Sequence, residues 1–100
     1  MYKIVVLYPK LEENFLETYI KEHVPLVKKI PNVKKIVINK AIGSPAGEPQ
    51  FFVLAELHFE TEKDMREALN SNEMREAARH AMKISKGKMQ AIFFEEIKVE

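Results

Sequence analysis

His23 sits within YIKEHVPLV, residues 19–27, four positions after Tyr19 and two before Pro25. Its imidazole titrates near neutrality, so it can take a proton from a substrate carbon or oxygen and return it elsewhere. Proline lacks a backbone donor, and the ring of Pro25 crowds the carbonyl of Lys21, so a helix through this stretch bends and frees carbonyl acceptors. Two readings fit. Either His23 donates to a freed carbonyl and locks the kink, or the bend turns the imidazole towards the mouth of a cavity as a proton shuttle. Tyr19 is open in the same way, because a buried phenol needs a partner whether or not that partner is a ligand.

Glu56 and His58 are two apart in a strand-like run and so share one side, assigned here to the interior. A carboxylate beside an imidazole orients it or raises its pKa, as in general acid–base sites. The competing reading is a wet rim or a contact between two copies. Tyr8 and Asn39 add hydrogen bonds to a pocket, or else end a strand or face solvent. His80, four residues after Glu76 and off the apolar stripe of its helix, reads as a surface ion partner. The three histidines share no close ligand spacing and no His-x-x-x-His occurs, so no metal site is expected. No haem ligand stands out, and no cofactor is expected. The absence of cysteine excludes a thiolate nucleophile and disulfides. GSPAG, residues 43–47, lacks the Lys-Ser/Thr ending of a phosphate loop, and neither a nucleophile elbow nor a dinucleotide fingerprint is present.

The elements that must position these groups are legible from periodicity. Lys3–Tyr8 is a β-branched run closed by Pro9, which suits a strand. From Glu12 to Ile30, Phe15, Leu16, Tyr19, Ile20, Val24, Val27 and Ile30 recur at helical spacings, giving one amphipathic helix that ends at Pro31 and Asn32. Val33–Ile42 and Phe51–Phe59 form an antiparallel hairpin across a Gly/Pro loop at 43–50. Thr61 and Asp64 start a helix that NSN at 70–72 interrupts; the next carries Met74, Ala77, Ala78, Ala81 and Met82 as a packing stripe and stops at Gly87. KMQAIFFEEIKV, residues 88–99, is the last strand. The order β-α-β-β-α-β predicts a ferredoxin-like α+β fold with a four-stranded antiparallel sheet, in a single domain over residues 1–100.

Sixteen basic and fifteen acidic residues nearly cancel, so no strongly basic field is available for nucleic acid. No apolar run approaches the roughly 20 residues that cross a bilayer, and MYKIVVLYPK lacks a signal cleavage site, so no membrane association and a cytoplasmic location are expected. The strands are apolar on both faces: Phe52 and Leu54 oppose Phe51, Val53 and Ala55, while Ile92 and Phe94 oppose Ala91 and Phe93. Helices can cover only one face, and the other exceeds the apolar patch a monomer tolerates. A second copy packed sheet to sheet is the economical cover, which predicts a homodimer.

YKIVVLYP, FLETYIKEHVPLV with its Tyr-x-x-x-His-x-Pro-Leu, the Gly/Pro loop and LHFETEKDMREAL together resemble the EthD family, a branch of the dimeric α+β barrel superfamily. The resemblance spans nearly the whole chain, and its most specific element is His23-x-Pro25-Leu26. It implies a dimeric barrel and an association with ether degradation. The superfamily also includes muconolactone isomerases, polyketide cyclases, cofactor-free monooxygenases and haem enzymes, among which the fold does not choose. With this resemblance, the expectation is a homodimer holding a small, largely apolar organic molecule between sheet and helices. Tyr8, Tyr19, Leu54 and Phe94 line the pocket, with Asn39 available to hydrogen-bond there. His23 shuttles the proton, and Glu56 and His58 act as polar anchors in an isomerisation, cyclisation or decarboxylation. The rival is a non-catalytic binding or stress-associated dimer in which His23 is a helix-kink residue.

Overall fold

Residues of VLAELHF alternate without a break between buried and half-buried, the signature of a strand with helices on one face. The computed structural model describes residues 1–100. Its elements are β1 (Tyr2–Tyr8), α1 (Phe15–Thr18), a π turn (Tyr19–His23), α2 (Val24–Val27), β2 (Lys35–Lys40), β3 (Val53–Phe59), α3 (Glu62–Leu69), α4 (Asn72–Ile84) and β4 (Gln90–Glu95). All strand pairs are antiparallel, in the order β2-β3-β1-β4, so the expected ferredoxin-like α+β arrangement is present. No helix is long and apolar enough to cross a membrane.

The first helix differs from its expected form. Pro25 neither ends nor sharply breaks it; the chain widens into a π turn in which the Val24 N–H donates to the Tyr19 carbonyl, five residues back. The extra residue in the turn accommodates the missing Pro25 donor. Ordinary spacing resumes when the Lys28 N–H donates to Val24 O at 3.0 Å. Helical structure therefore runs from Phe15 to Val27 rather than from Glu12 to Ile30, and Tyr19 and His23 at the two ends of the π turn are both buried.

The break between the later helices is where the sequence places it. Thr61 Oγ1 accepts from the Asp64 N–H at 3.0 Å, and Ser71 Oγ from the Met74 N–H at 3.1 Å, so each helix has its own cap. Met65, Ala68, Ala77 and Ala81 face the sheet, but Met82 and Ala78 are exposed, so the stripe on α4 is narrower than expected. The chain leaves α4 through left-handed Lys86 and Gly87.

The two core clusters lie between the helices and one sheet face, while Val5 is buried on the other. Around Ile4, Leu57 and Phe59 pack Val27, Ile30, Met65, Ala68 and Ala77; around Tyr8, Val53 and Ala55 pack Phe15, Tyr19 and Ala81. Each Val, Leu, Ile, Phe or Met among them contributes roughly 1.5–3 kcal/mol when fully buried. The opposite face carries Val5, Leu7, Leu54, Ile92 and Phe94 with no helix over it. Edge strand β4 is exposed throughout, with Ile92, Phe93 and Phe94 between 42% and 49% accessible, and it ends at Glu95, before Ile97.

Candidate functional site

Strand alternation decides which side chains can meet. In β1, Ile4, Val6 and Tyr8 point to the helices; in β4 their register partners Phe93 and Ala91 do the same. Between these residues and the first and last helices lies a cavity of about 190 Å³. Tyr8, Tyr19, His23, Met74, Ala81 and Phe93 are among its walls, and every lining residue except His23 is hydrophobic or aromatic. Ala78 and Phe93 line it and are exposed, so it opens to solvent between α4 and the β4 edge.

An aromatic file leads through this region. Tyr8 lies 5.3 Å from Phe15 and 5.2 Å from Tyr19, ring centre to ring centre, and Tyr19 lies 4.9 Å from His23. The His23 and His80 rings meet edge to edge, their centres 5.2 Å and their planes 10° apart, with the two Nδ1 atoms 2.9 Å from each other. His80 is thus not the surface partner of Glu76 that spacing suggested; it is half-buried and paired with His23. Nor does His23 bond to a freed carbonyl: the π turn re-pairs the backbone, leaving the imidazole to α4. His80 follows Ala77 by three positions and adjoins Ala81, both buried, and that offset was the signal available in the sequence.

Burial sets the charge states. It pushes the His23 imidazole down to about 4, with neighbouring His80 adding to the effect, so His23 is neutral at pH 7. It pushes the Tyr19 phenol up to about 12 and Tyr8 higher still, the Tyr19 phenol reinforcing the shift on Tyr8. The two hydroxyls do not meet hydrogen-bond geometry, however, and the Tyr8 hydroxyl is fully buried without a partner.

The other expected residues lie across the sheet. Leu54, Glu56 and His58 occupy the alternate positions of β3, Asn39 pairs with Leu54, and Phe94 pairs with Lys3, which puts all of them on the open face. There Asn39 Nδ2 donates to Glu56 Oε2 at 2.9 Å and to Leu54 O at 3.0 Å, while His58 Nε2 sits 3.0 Å from Glu56 Oε1. The Asn39 amide holds the Glu56 carboxyl below its ordinary range against the opposing effect of burial, and His58 and Lys3 reinforce it. A single pocket containing all eight residues is therefore ruled out by the period of two along each strand. Tyr8, Tyr19 and His23 share one cavity; Asn39, Leu54, Glu56, His58 and Phe94 share the opposite face. No group of three or more His, Cys, Asp or Glu side chains is placed to hold a metal ion.

No family model matches the chain. It is 32% identical over 98 residues to an uncharacterized 11.0 kDa protein in the thcB–thcC intergenic region of Rhodococcus erythropolis, covering 96% of this chain and 95% of that protein. Among solved structures, an EthD family protein from Bacillus halodurans is 28% identical, with a TM-score of 0.89 over 97% of this chain and 99% of the other. A hydroxynitrile lyase from Passiflora edulis shares the fold at 19% identity, with a TM-score of 0.73 over 99% and 94% of the two chains. So does a dimeric ferredoxin-like protein of unknown function from Jannaschia, at 10% identity and a TM-score of 0.71 over 95% and 97%. Strand order, near-complete coverage and these likenesses place the chain in the EthD-like, ferredoxin-like family.

Proposed function

We propose that the protein is a homodimer that binds a small, largely apolar organic molecule in the helix-side cavity and moves a proton on it through His23. The observation that carries this reading is the buried Tyr8 hydroxyl, which has no partner within the chain and belongs to a residue that walls the apolar cavity. Leaving such a group unpaired costs about 1–3 kcal/mol, a cost a ligand oxygen relieves. Tyr8 stays protonated because burial opposes its ionisation, so it donates to a carbonyl or phenolic oxygen. Neutral His23, in the same wall, is the group able to accept a proton from the adjacent carbon.

Volume restricts the ligand. Apolar cavities of roughly 150 Å³ admit benzene, so about 190 Å³ suits a molecule of about one substituted ring. Ketones, lactones and phenols of that size fit, and isomerisation, cyclisation or decarboxylation needs only orientation, exclusion of water and one titratable group. A fold relative named as a hydroxynitrile lyase supports a catalytic use of this architecture. The hollow on the open face, about 350 Å³, lacks a buried unpaired hydroxyl and is better suited to a second copy, in line with fold relatives described as dimeric.

The test is ligand-induced stabilisation against 2-tetralone, acetophenone, γ-butyrolactone and 4-ethylphenol, followed by exchange of the ketone α-protons in D2O. At about 100 Kd of a true ligand, stabilisation of about 2.7 kcal/mol raises the melting temperature by order 10 °C. His23→Gln keeps the shift and loses the exchange. A panel without any shift would remove the ligand-binding reading; a shift without exchange in the parent protein would favour the non-catalytic dimer.

A further inference from the structure

We propose that His80 is the outer half of a two-imidazole proton relay. When His23 takes a proton from the ligand at Nε2, it passes the proton on its own Nδ1 to Nδ1 of His80. The inference rests on reading His23 as the group that accepts the ligand's proton, and it explains how a buried imidazole does so without becoming charged.

A 2.9 Å Nδ1 to Nδ1 separation joins two nitrogens only if one carries a proton and the other a lone pair. His23 lines the cavity and is 4% exposed, whereas His80 is half-buried on α4 and does not line the cavity. With Nδ1 engaged by His80, the nitrogen of His23 left for a ligand is Nε2. The titratable groups that face His23 are Tyr19 on its own helix, Tyr8 from β1 and His80 from α4, and no carboxylate, lysine or arginine lines the cavity. His80 is therefore the neighbour able to share the proton.

The transfer balances. In the starting state His23 carries hydrogen on Nδ1 and His80 on Nε2. The ligand C–H bond breaks and its electron pair stays on the ligand. A new N–H bond forms at His23 Nε2, the Nδ1–H bond of His23 breaks, and its proton bonds to the lone pair on His80 Nδ1. His23 ends neutral in its other tautomer, and the positive charge appears on His80, where solvent is nearer and the desolvation penalty smaller. The reverse movement delivers a proton to the ligand at a second carbon, completing an isomerisation. Alternatively, His80 loses its Nε2 proton to water, which opens the cavity to solvent exchange.

Long-range ¹H–¹⁵N spectra of the labelled full chain, without any ligand, read the tautomers directly. Complementary tautomers in the pair are expected, collapsing to a single His23 tautomer in His80→Phe, which keeps an aromatic ring but removes both nitrogens. His80→Asn offers one hydrogen-bonding group near the old Nδ1 but cannot pass a proton through a ring. Both variants should keep the melting shift with 2-tetralone and slow its α-proton exchange by about tenfold or more, with the pH profile of exchange altered as well. Unchanged exchange in both variants, or His23 tautomer populations indifferent to His80, would overturn the relay. If the parent protein exchanges no ketone proton, the catalytic reading fails by itself and the tautomer spectra still decide whether the pair shares a proton.

Discussion

Asn39 donates a hydrogen bond of 2.9 Å to Glu56 across neighbouring strands β2 and β3. Because that amide, then His58 and Lys3, lower the folded Glu56 value below its unfolded one, the linked stabilisation is present above about pH 4.5 and is lost as pH falls through the lower folded value. The Glu56 side chain remains 21% accessible, so screening keeps the contribution small. Asn39→Ala should lower the urea midpoint near neutrality and converge with the parent in acid. A gap that persists undiminished at about pH 2.5 would mean Asn39 acts through something other than the carboxylate.

His23 gives the larger pH dependence, and its sign is set by burial. The folded value near 4 lies below the ordinary 6.5, so the unfolded chain takes up a proton first as pH drops. Stability is fully present above about 6.5, declines between 6.5 and 4, and levels off below, a loss of roughly 3 kcal/mol. His23→Gln removes the titrating group and should flatten this part of the curve. Denaturant midpoints measured every half pH unit check it; an equal decline in the variant would assign the loss elsewhere.

Tyr8→Phe separates ligand binding from folding. Removing a buried hydroxyl with no partner takes away a desolvation penalty, so the free protein should melt at the same temperature or higher, by up to about 1 kcal/mol of stability. Affinity for 2-tetralone should fall by about tenfold, the worth of one hydrogen bond to its oxygen. Calorimetric titration and melting curves on the same samples provide both numbers. Destabilisation of the free variant by 2 kcal/mol or so would mean that the hydroxyl is satisfied within the protein.

The βαββαβ order, the helix start at Thr61 and the break at residues 70–72 were legible because they rest on local pattern and short-range chemistry. Tyr8, Tyr19 and His23 share one cavity because each falls on the helix-side phase of its own element, whereas the sequence reading grouped Tyr8 and Tyr19 with Leu54 and Phe94. The pocket was mixed with open-face residues because Glu56 and His58 look catalytic in isolation, while the face they occupy is fixed by pairing with Val5 and Lys3. The offset of His80 from Ala77 and Ala81 pointed to partial burial, but its pairing with His23 was beyond local pattern. His80 lies 57 positions from His23, and only the packing of α4 against the π turn brings their nitrogens together. The π turn itself was hidden because Pro25 predicts a defect but not whether the helix bends or widens around it.

The open face makes the last prediction. Leu54 and Phe94 lie on it with Val5, Leu7 and Ile92, and Phe94 is 45% exposed in one chain. A second copy would bury these side chains, whereas a charge placed among them would have to be desolvated without a partner. Leu54→Asp should therefore give monomers, with a lower melting temperature that no longer depends on protein concentration. Lys40→Asp, on the outer strand β2 and already exposed, serves as the control and should leave the assembly intact. Sedimentation equilibrium at micromolar concentration measures both. A parent protein that sediments as a folded monomer would remove the dimer from the proposed function, and a Leu54→Asp dimer as tight as the parent would move the interface away from this face.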